Sequence, residues 1–440
     1  DLTRTAVADD LEAVSRLAVR EARLRGGGLV VGPVDALAGG DSRAIRVLAD
    51  SSCPVVLTGR VAWEPGWSNR VPFITDAPVP TTAERRRIWR FALKAADGPE
   101  EPRLAEQLAP FRLSPEQVLR ATSSAVIRSR ATGEPLDLRH LQAGARAENA
   151  AGLERLAHRV EPEVSFADLV LPDDTLAQLG ELTSRARFRD MVIDEWGMGG
   201  GATRGRGVTG LFAGDPGTGK TMSAEVVAAD LGLDLYVIDL STVVDKYIGE
   251  TEKNLDRIFD AADGINGVLL FDEADALFGK RSEVKDARDR YANVEIAYLL
   301  QRMERFDGLA LLTTNLRANL DEAFARRLDA VIDFPMPEEA DRERLWDIHL
   351  PSSLPRADDI DLAFLAGRFR ISGGNIRNIC VAAAYLAAEE RRPVCMADLV
   401  RGTEREYRKL GRLTVEEEFG CYIEVIRPSR GSHVDSTAGA

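Results

Sequence analysis

The 440-residue sequence is poor in the residues that build redox, metal or disulfide chemistry. Its four cysteines, Cys53, Cys380, Cys395 and Cys421, are scattered and form no CxxC pair. This excludes the usual zinc and dithiol motifs and fits buried thiols in a reducing cytoplasm. Four histidines, equally dispersed, suggest no triad and no imidazole metal cluster. No apolar run approaches the roughly 20 residues of a membrane span, and no basic, apolar secretory leader is present. Positive charge is in deficit, with 57 Lys and Arg against 71 Asp and Glu and a net charge of −14. A nucleic-acid motor draws much of its affinity from a basic stripe, so this balance counts against that class. The chain begins at Asp1 rather than Met, and an upstream part is expected.

What is present is an ordinary apolar fraction of 45%, with enough length for two or three domains. The strongest signal follows the apolar run 210–213. Gly214-Asp215-Pro216-Gly217-Thr218-Gly219-Lys220-Thr221 precedes an Ala-rich, helix-prone stretch starting at Met222. A strand, a glycine-rich turn and a helix in this order make a phosphate-cradling P-loop, because backbone N–H groups converge on the ligand at a helix N-terminus. Lys220 is expected on the β- and γ-phosphates of ATP, with Thr221 offering its hydroxyl to Mg2+. The contacts expected to surround the nucleotide are Asp215, Pro216, Gly217, Thr218, Gly219, Lys220, Thr221 and Met222.

A second apolar run ends in Asp272-Glu273, where a parallel strand places ligands at its carboxyl end. Asp272 is expected to bind Mg2+, and Glu273 to act as general base on the attacking water. Asn315, closing a third apolar strand, is suited to orient that water, although an Asn at a strand end is also a common turn former. Arg326 and Arg327 fit the role of an arginine finger reaching the γ-phosphate of an adjacent subunit. Standing alone, the pair reads more readily as a solvated helix end.

Taken together, residues 160–415 resemble the AAA+ superfamily, and within it the AAA clade of ring-forming protein remodellers. Val164-Ser165-Phe166-Ala167-Asp168-Leu169-Val170 resembles the segment flanking the adenine, and Ser372-Gly373-Gly374-Asn375-Ile376-Arg377 the start of the lid helix. Gly374 and Arg377 are therefore implied nucleotide contacts, Arg377 as a second sensor that much of the clade lacks. The resemblance implies an α/β P-loop NTPase with a parallel sheet and helical lid. It also implies a homo-hexamer that acts on a protein client; no membrane partner is expected, and the acidic balance counts against nucleic acid. Lys246, Tyr247 and Ile248 are similar to a substrate-gripping pore loop, and Gly279-Lys280-Arg281-Ser282 occupies the place of a second one. Phrases at 234–240, 246–256 and 278–284 resemble ATPases encoded with phage-tail-like contractile injection particles. An assembly scaffold with mainly structural ATP, or a nucleic-acid remodeller, is the alternative.

The first 150 residues look like a second, degenerate copy. Asp35-Ala36-Leu37 echoes Asp275-Ala276-Leu277, Arg87-Ile88-Trp89 echoes Arg344-Leu345-Trp346, and Phe111-Arg112-Leu113-Ser114 echoes Phe369-Arg370-Ile371-Ser372. Gly32-Pro33 stand where Asp272-Glu273 would, Gly59-Arg60 near the Asn315 place, and Leu119 for Arg377, so hydrolysis there is not expected. The expected domains are 1–100 and 101–160 (degenerate α/β part, then lid and linker), 161–340 (active α/β), 341–415 (lid) and 416–440 (tail).

Overall fold

The computed structural model describes residues 11–35, 43–59, 61–77, 80–99, 101–149, 153–198, 207–244, 249–275, 287–315, 325–413 and 415–426. Two compact units divide the chain at 79/80. Unit 1 holds α1 (Leu11–Leu24), β1 (Leu29–Val31), α2 (Arg43–Ala49) and β2 (Val55–Leu57). The strands pair in parallel, Leu29 opposite Val55, and Val34, Ala44, Ile45 and Trp67 form a small core.

The second unit opens with four helices, α3 (Thr82–Ala95), α4 (Pro102–Leu108), α5 (Pro115–Thr132) and α6 (Leu138–Arg146). An α/β region follows: β3 (His158–Val160), α7 (Asp173–Asp190), β4 (Val208–Gly214), α8 (Lys220–Leu231), β5 (Asp234–Asp239), α9 (Glu250–Ala262), β6 (Gly267–Asp272), α10 (Ala287–Arg305), β7 (Leu309–Thr314) and β8 (Ala330–Phe334). Its sheet order is β3-β5-β6-β7-β4-β8, parallel except for the antiparallel edge strand β3. Strands buried on both faces read as continuous apolar runs, which is why Leu309–Thr314 is buried throughout. One core cluster packs α9 and α10 on one face, and a second packs α7 and α8 on the other. Four more helices follow, α11 (Glu339–His349), α12 (Leu362–Arg368), α13 (Gly373–Glu389) and α14 (Met396–Lys409), and then two single-turn helices, Glu416–Phe419 and Ile423–Ile426.

The two helical sets repeat a packing arginine, a buried tryptophan, a helix cap and a contact glycine. Buried Arg85 donates from Nε to Ala109 O (2.8 Å) and from a terminal nitrogen to Pro80 O (2.7 Å). Arg342, 257 residues on (342 − 85), makes the same bonds to Ala366 O (2.8 Å) and Pro337 O (2.6 Å). Trp89 and Trp346 fill the two cores, each fully buried. Ser114 and Ser372 cap α5 and α13 through equivalent capping boxes with Gln117 and Asn375. Gly144 meets the Ala121 backbone and Gly402 meets Ile379, so both helix pairs approach closely where a side chain would not fit. Copies that preserve packing arginine, cap and contact glycine share one fold, not merely a composition.

The first helical set is fastened to the sheet edge opposite the P-loop. Arg85 and Arg112 both bind Asp190 at the end of α7, and Arg112 also bonds Asp307 just before β7. Asn149 and Asn266 exchange two hydrogen bonds of 3.0 Å, and Arg146 reaches buried Asp234 at 3.1 Å. Burial alone would raise the Asp190 carboxyl, but Arg112, Arg189 and Arg85 hold it down at about 2.

Candidate nucleotide site

Because β4, β6 and β7 run parallel and adjacent, their carboxyl ends deliver Gly214, Asp272 and Thr314 to one edge of the sheet. The loop from Gly214 turns into α8 through Gly219, whose φ of +100° favours glycine. Asp215, Pro216 and Gly217 are exposed on this loop, while Thr218 is buried with its hydroxyl donating to Asp215 O (2.8 Å). Lys220 folds back over the loop, and its ammonium donates to Gly214 O (2.7 Å), Asp215 O (3.0 Å) and the Asn315 Oδ1 (2.9 Å). Burial pushes this ammonium below the ordinary lysine range, opposed by the charges of Asp272, Asp275 and Asp215.

Thr221 follows, its hydroxyl 3.4 Å from an Asp272 carboxylate oxygen, and Met222 is exposed on the first turn of α8. Asp272 also accepts from the Thr313 hydroxyl. Glu273 is exposed and sits at φ +56°, a left-handed backbone uncommon for a residue with a side chain. Its N–H donates to Asp272 Oδ1 (3.1 Å) and Thr313 Oγ1 (3.2 Å). Asn315 is tethered by Asp275, which accepts from its backbone N–H (3.0 Å) and its side-chain amide (2.8 Å). Sequence reasoning singled out neither Thr313 nor Asp275 for a role at the site. The available signal was short polar residues at the carboxyl ends of parallel strands.

The second helical set touches this loop directly. Gly374 N–H donates to Gly217 O (3.0 Å), and a Cβ on Gly217 would lie 2.6 Å from the Ser372 hydroxyl. Arg377 is exposed one helical turn after Gly374, and burial together with the Arg377 charge holds His349 below its usual range. Beside the loop, Leu171 lies 4.0 Å from where a Gly219 Cβ would be, and Ser165 and Asp168 cap a short turn at the start of this segment.

Arg326 and Arg327 lie elsewhere. They precede Ala330, whose partner is Gly210 near the start of β4, and Asp329 N–H bonds Thr209 O (3.0 Å). The P-loop begins at the other end of this strand, at Gly214, four residues and roughly 13 Å beyond Gly210 at about 3.3 Å per residue. Lys246, Tyr247 and Ile248, and the stretch 279–282, lie outside the described residues.

The residues present suit a polyphosphate. The first-turn N–H groups of α8 have no side-chain cap, and an ammonium and a hydroxyl converge beside them. Thr221 and Asp272 offer hard oxygen donors of the kind Mg2+ takes alongside phosphate and water. The family described as "ATPase family associated with various cellular activities (AAA)" matches residues 210–336, which span the loop, the acid pair and Asn315. The chain carries an AAA ATPase domain.

Proteins similar to this chain carry the names of proteasome regulatory subunits and of a proteasome-activating nucleotidase. A "26S proteasome regulatory subunit 4 homolog" of Oryza sativa subsp. japonica is 34% identical over 204 residues, 44% of this chain and 45% of that protein. A "26S proteasome regulatory subunit 10B" of Dictyostelium discoideum is 34% identical over 198 residues, 43% of this chain and 50% of that protein. The "Proteasome-activating nucleotidase" of Saccharolobus solfataricus is 29% identical over 269 residues, 58% of this chain and 68% of that protein. The chain spans about half the length of the first of these relatives. Among the described residues, no helix is long and apolar enough to cross a membrane, and no group of three or more His, Cys, Asp or Glu side chains could hold a metal.

Proposed function

We propose that this chain hydrolyses ATP and spends the energy on moving or unfolding a protein client, as one subunit of a ring. The observation that carries the reading is the convergence of Lys220, Thr221, Asp272, Glu273 and Asn315 at one sheet edge. Lys220 binds the β- and γ-phosphates, leaving Asn315 to orient water beside Glu273, which takes its proton. Thr221 and Asp272 would hold Mg2+, which when bound neutralises phosphate charge. Gly374 and Arg377 bring the helical lid onto the nucleotide. Arg326 and Arg327, distant from their own P-loop, act on the site of a neighbouring subunit, and this favours a hexameric ring over a monomer.

The names of the relatives, proteasome regulatory subunits and a proteasome-activating nucleotidase, support a protein client gripped at Lys246, Tyr247 and Ile248. The first 160 residues serve as a non-hydrolysing tier: Pro115 and Glu116 stand where Gly373 and Gly374 touch the P-loop. A client from a contractile injection particle rests on the resembling phrases alone; capture of no particle component by a Glu273→Gln trap would remove it. The test of the main reading is ATP turnover of the protein beside Glu273→Gln, with mass measured in ATP. Turnover lost in the variant and an ATP-stabilised ring are expected. Slow turnover that Glu273→Gln leaves unchanged points instead to a scaffold.

A further inference from the structure

We infer that Thr313 is a positioning residue for the acid pair, acting through its hydroxyl; this rests on the reading of Asp272 and Glu273 as metal ligand and base. The hydroxyl does two things at once. It donates to the Asp272 carboxylate and accepts the Glu273 N–H at 3.2 Å. Glu273 needs such a hold, because its φ of +56° is a left-handed conformation that a residue with a side chain keeps only where neighbours impose it. Thr313 is 1% exposed, and without its hydroxyl the Glu273 N–H keeps Asp272 Oδ1 (3.1 Å) alone of its two acceptors.

The backbone contact at this place is a separate matter. Ala274 N–H donates to Thr313 O (3.0 Å), and in unit 1 Val34 N–H donates to Thr58 O (2.8 Å) in the same manner. Unit 1 keeps that bond, and a threonine at the place, with Gly32-Pro33 and no acid pair, so the carbonyl bond does not depend on the acids. Only the hydroxyl addresses the acids. Thr313 thereby fixes the direction in which the Glu273 carboxylate leaves the strand end, while Asp272 stays turned towards Thr221.

The experiment compares the full chain with Thr313→Val, Thr313→Ser and Glu273→Gln. Valine keeps the shape and the carbonyl but removes the hydroxyl, and serine keeps the hydroxyl. Thr313→Val is expected to lower kcat about 10- to 100-fold with KM for ATP within about threefold, a loss within the usual range for a misplaced general base. Amide hydrogen exchange of the peptide covering Glu273, measured without nucleotide, is expected to be faster in Thr313→Val and unchanged in Thr313→Ser. Serine should restore kcat to within about threefold of the unaltered protein. Unaltered kcat and exchange in Thr313→Val, with Glu273→Gln inactive, overturn this inference and leave the ATPase reading standing. Equal losses in valine and serine also overturn it, since packing would then be the cause. Full turnover by Glu273→Gln overturns the role of Glu273 and this inference with it. Should Thr313→Val fail to fold by melting, Thr313→Ala takes its place in both measurements.

Discussion

A single ammonium organises the candidate site. Lys220 occupies two loop carbonyls and Asn315, so phosphate binding has to displace those bonds with stronger, charge-assisted ones. Lys220→Met is expected to weaken nucleotide binding about 100-fold or more, read by fluorescent-nucleotide titration. Asp275 matters one step removed, since it fixes both amides of Asn315. Asp275→Ala should lower kcat about 10-fold while nucleotide affinity changes little, a split that steady-state kinetics beside equilibrium titration resolves. Away from the site, burial pushes the Cys380 thiol up to about 12, whereas Cys421 is exposed. At pH 8 the thiolate fraction of such a buried thiol is of order one in ten thousand. Alkylation followed by mass spectrometry should mark Cys421 in the native protein and Cys380 only after unfolding.

Among elements, the decisive contact is α13 against the P-loop. The N-terminus of α13 closes on Gly217 because Gly373 and Gly374 leave room; a Cβ at Gly374 would stand 3.0 Å from the Gly217 Cα. Gly374→Val is expected to push the lid off the loop and weaken nucleotide binding without unfolding the helical set, whose core lies around Trp346 and Phe369. The helix pairs themselves offer an internal control. A Cβ at Gly144 would meet the Ala121 carbonyl oxygen at 2.2 Å, but at Gly402 the nearest atom is an Ile379 methyl at 3.0 Å. Gly144→Ala should therefore destabilise more than Gly402→Ala, by about 1–3 kcal/mol in denaturant titration, because a backbone atom yields less readily than a side chain.

For the molecule as a whole, the charge network at Asp190 ties the first helical set to the ATPase sheet. Asp190 titrates lower folded than unfolded, about 2 against 3.8, so its stabilisation is present above about pH 4 and is lost as pH falls towards 2. That amounts to at most about 2 kcal/mol before solvent screening. Asp190→Asn should remove this segment of the acid-unfolding curve and lower stability at pH 7. The arginine pair makes a second prediction at this scale. Mixing Arg326→Ala/Arg327→Ala subunits with Glu273→Gln subunits should restore part of the ATPase rate that either alone lacks, since a site with Glu273 intact can then face an intact arginine pair. A mixture no faster than its components would place the arginines outside the site.

The nucleotide loop, the acid pair and Asn315 were legible in the sequence because each is a local pattern: an apolar strand, then a short polar or glycine-rich end. The helical repeat was legible for the same reason, since Trp89 and Trp346, or Ser114 and Ser372, keep their order along the chain. Pairings across the sheet were not. Thr313 meets Asp272, and Asp275 meets Asn315, only because β6 and β7 lie side by side, and nothing local at either residue announces a partner some 40 residues away. The sequence likewise marked Arg326 and Arg327 as candidates, but their place at the far end of β4 from the P-loop is decided by strand direction. Local order along the chain determined which chemistry is present. Strand adjacency and helix docking, set by burial of both sheet faces, decided which of those groups meet.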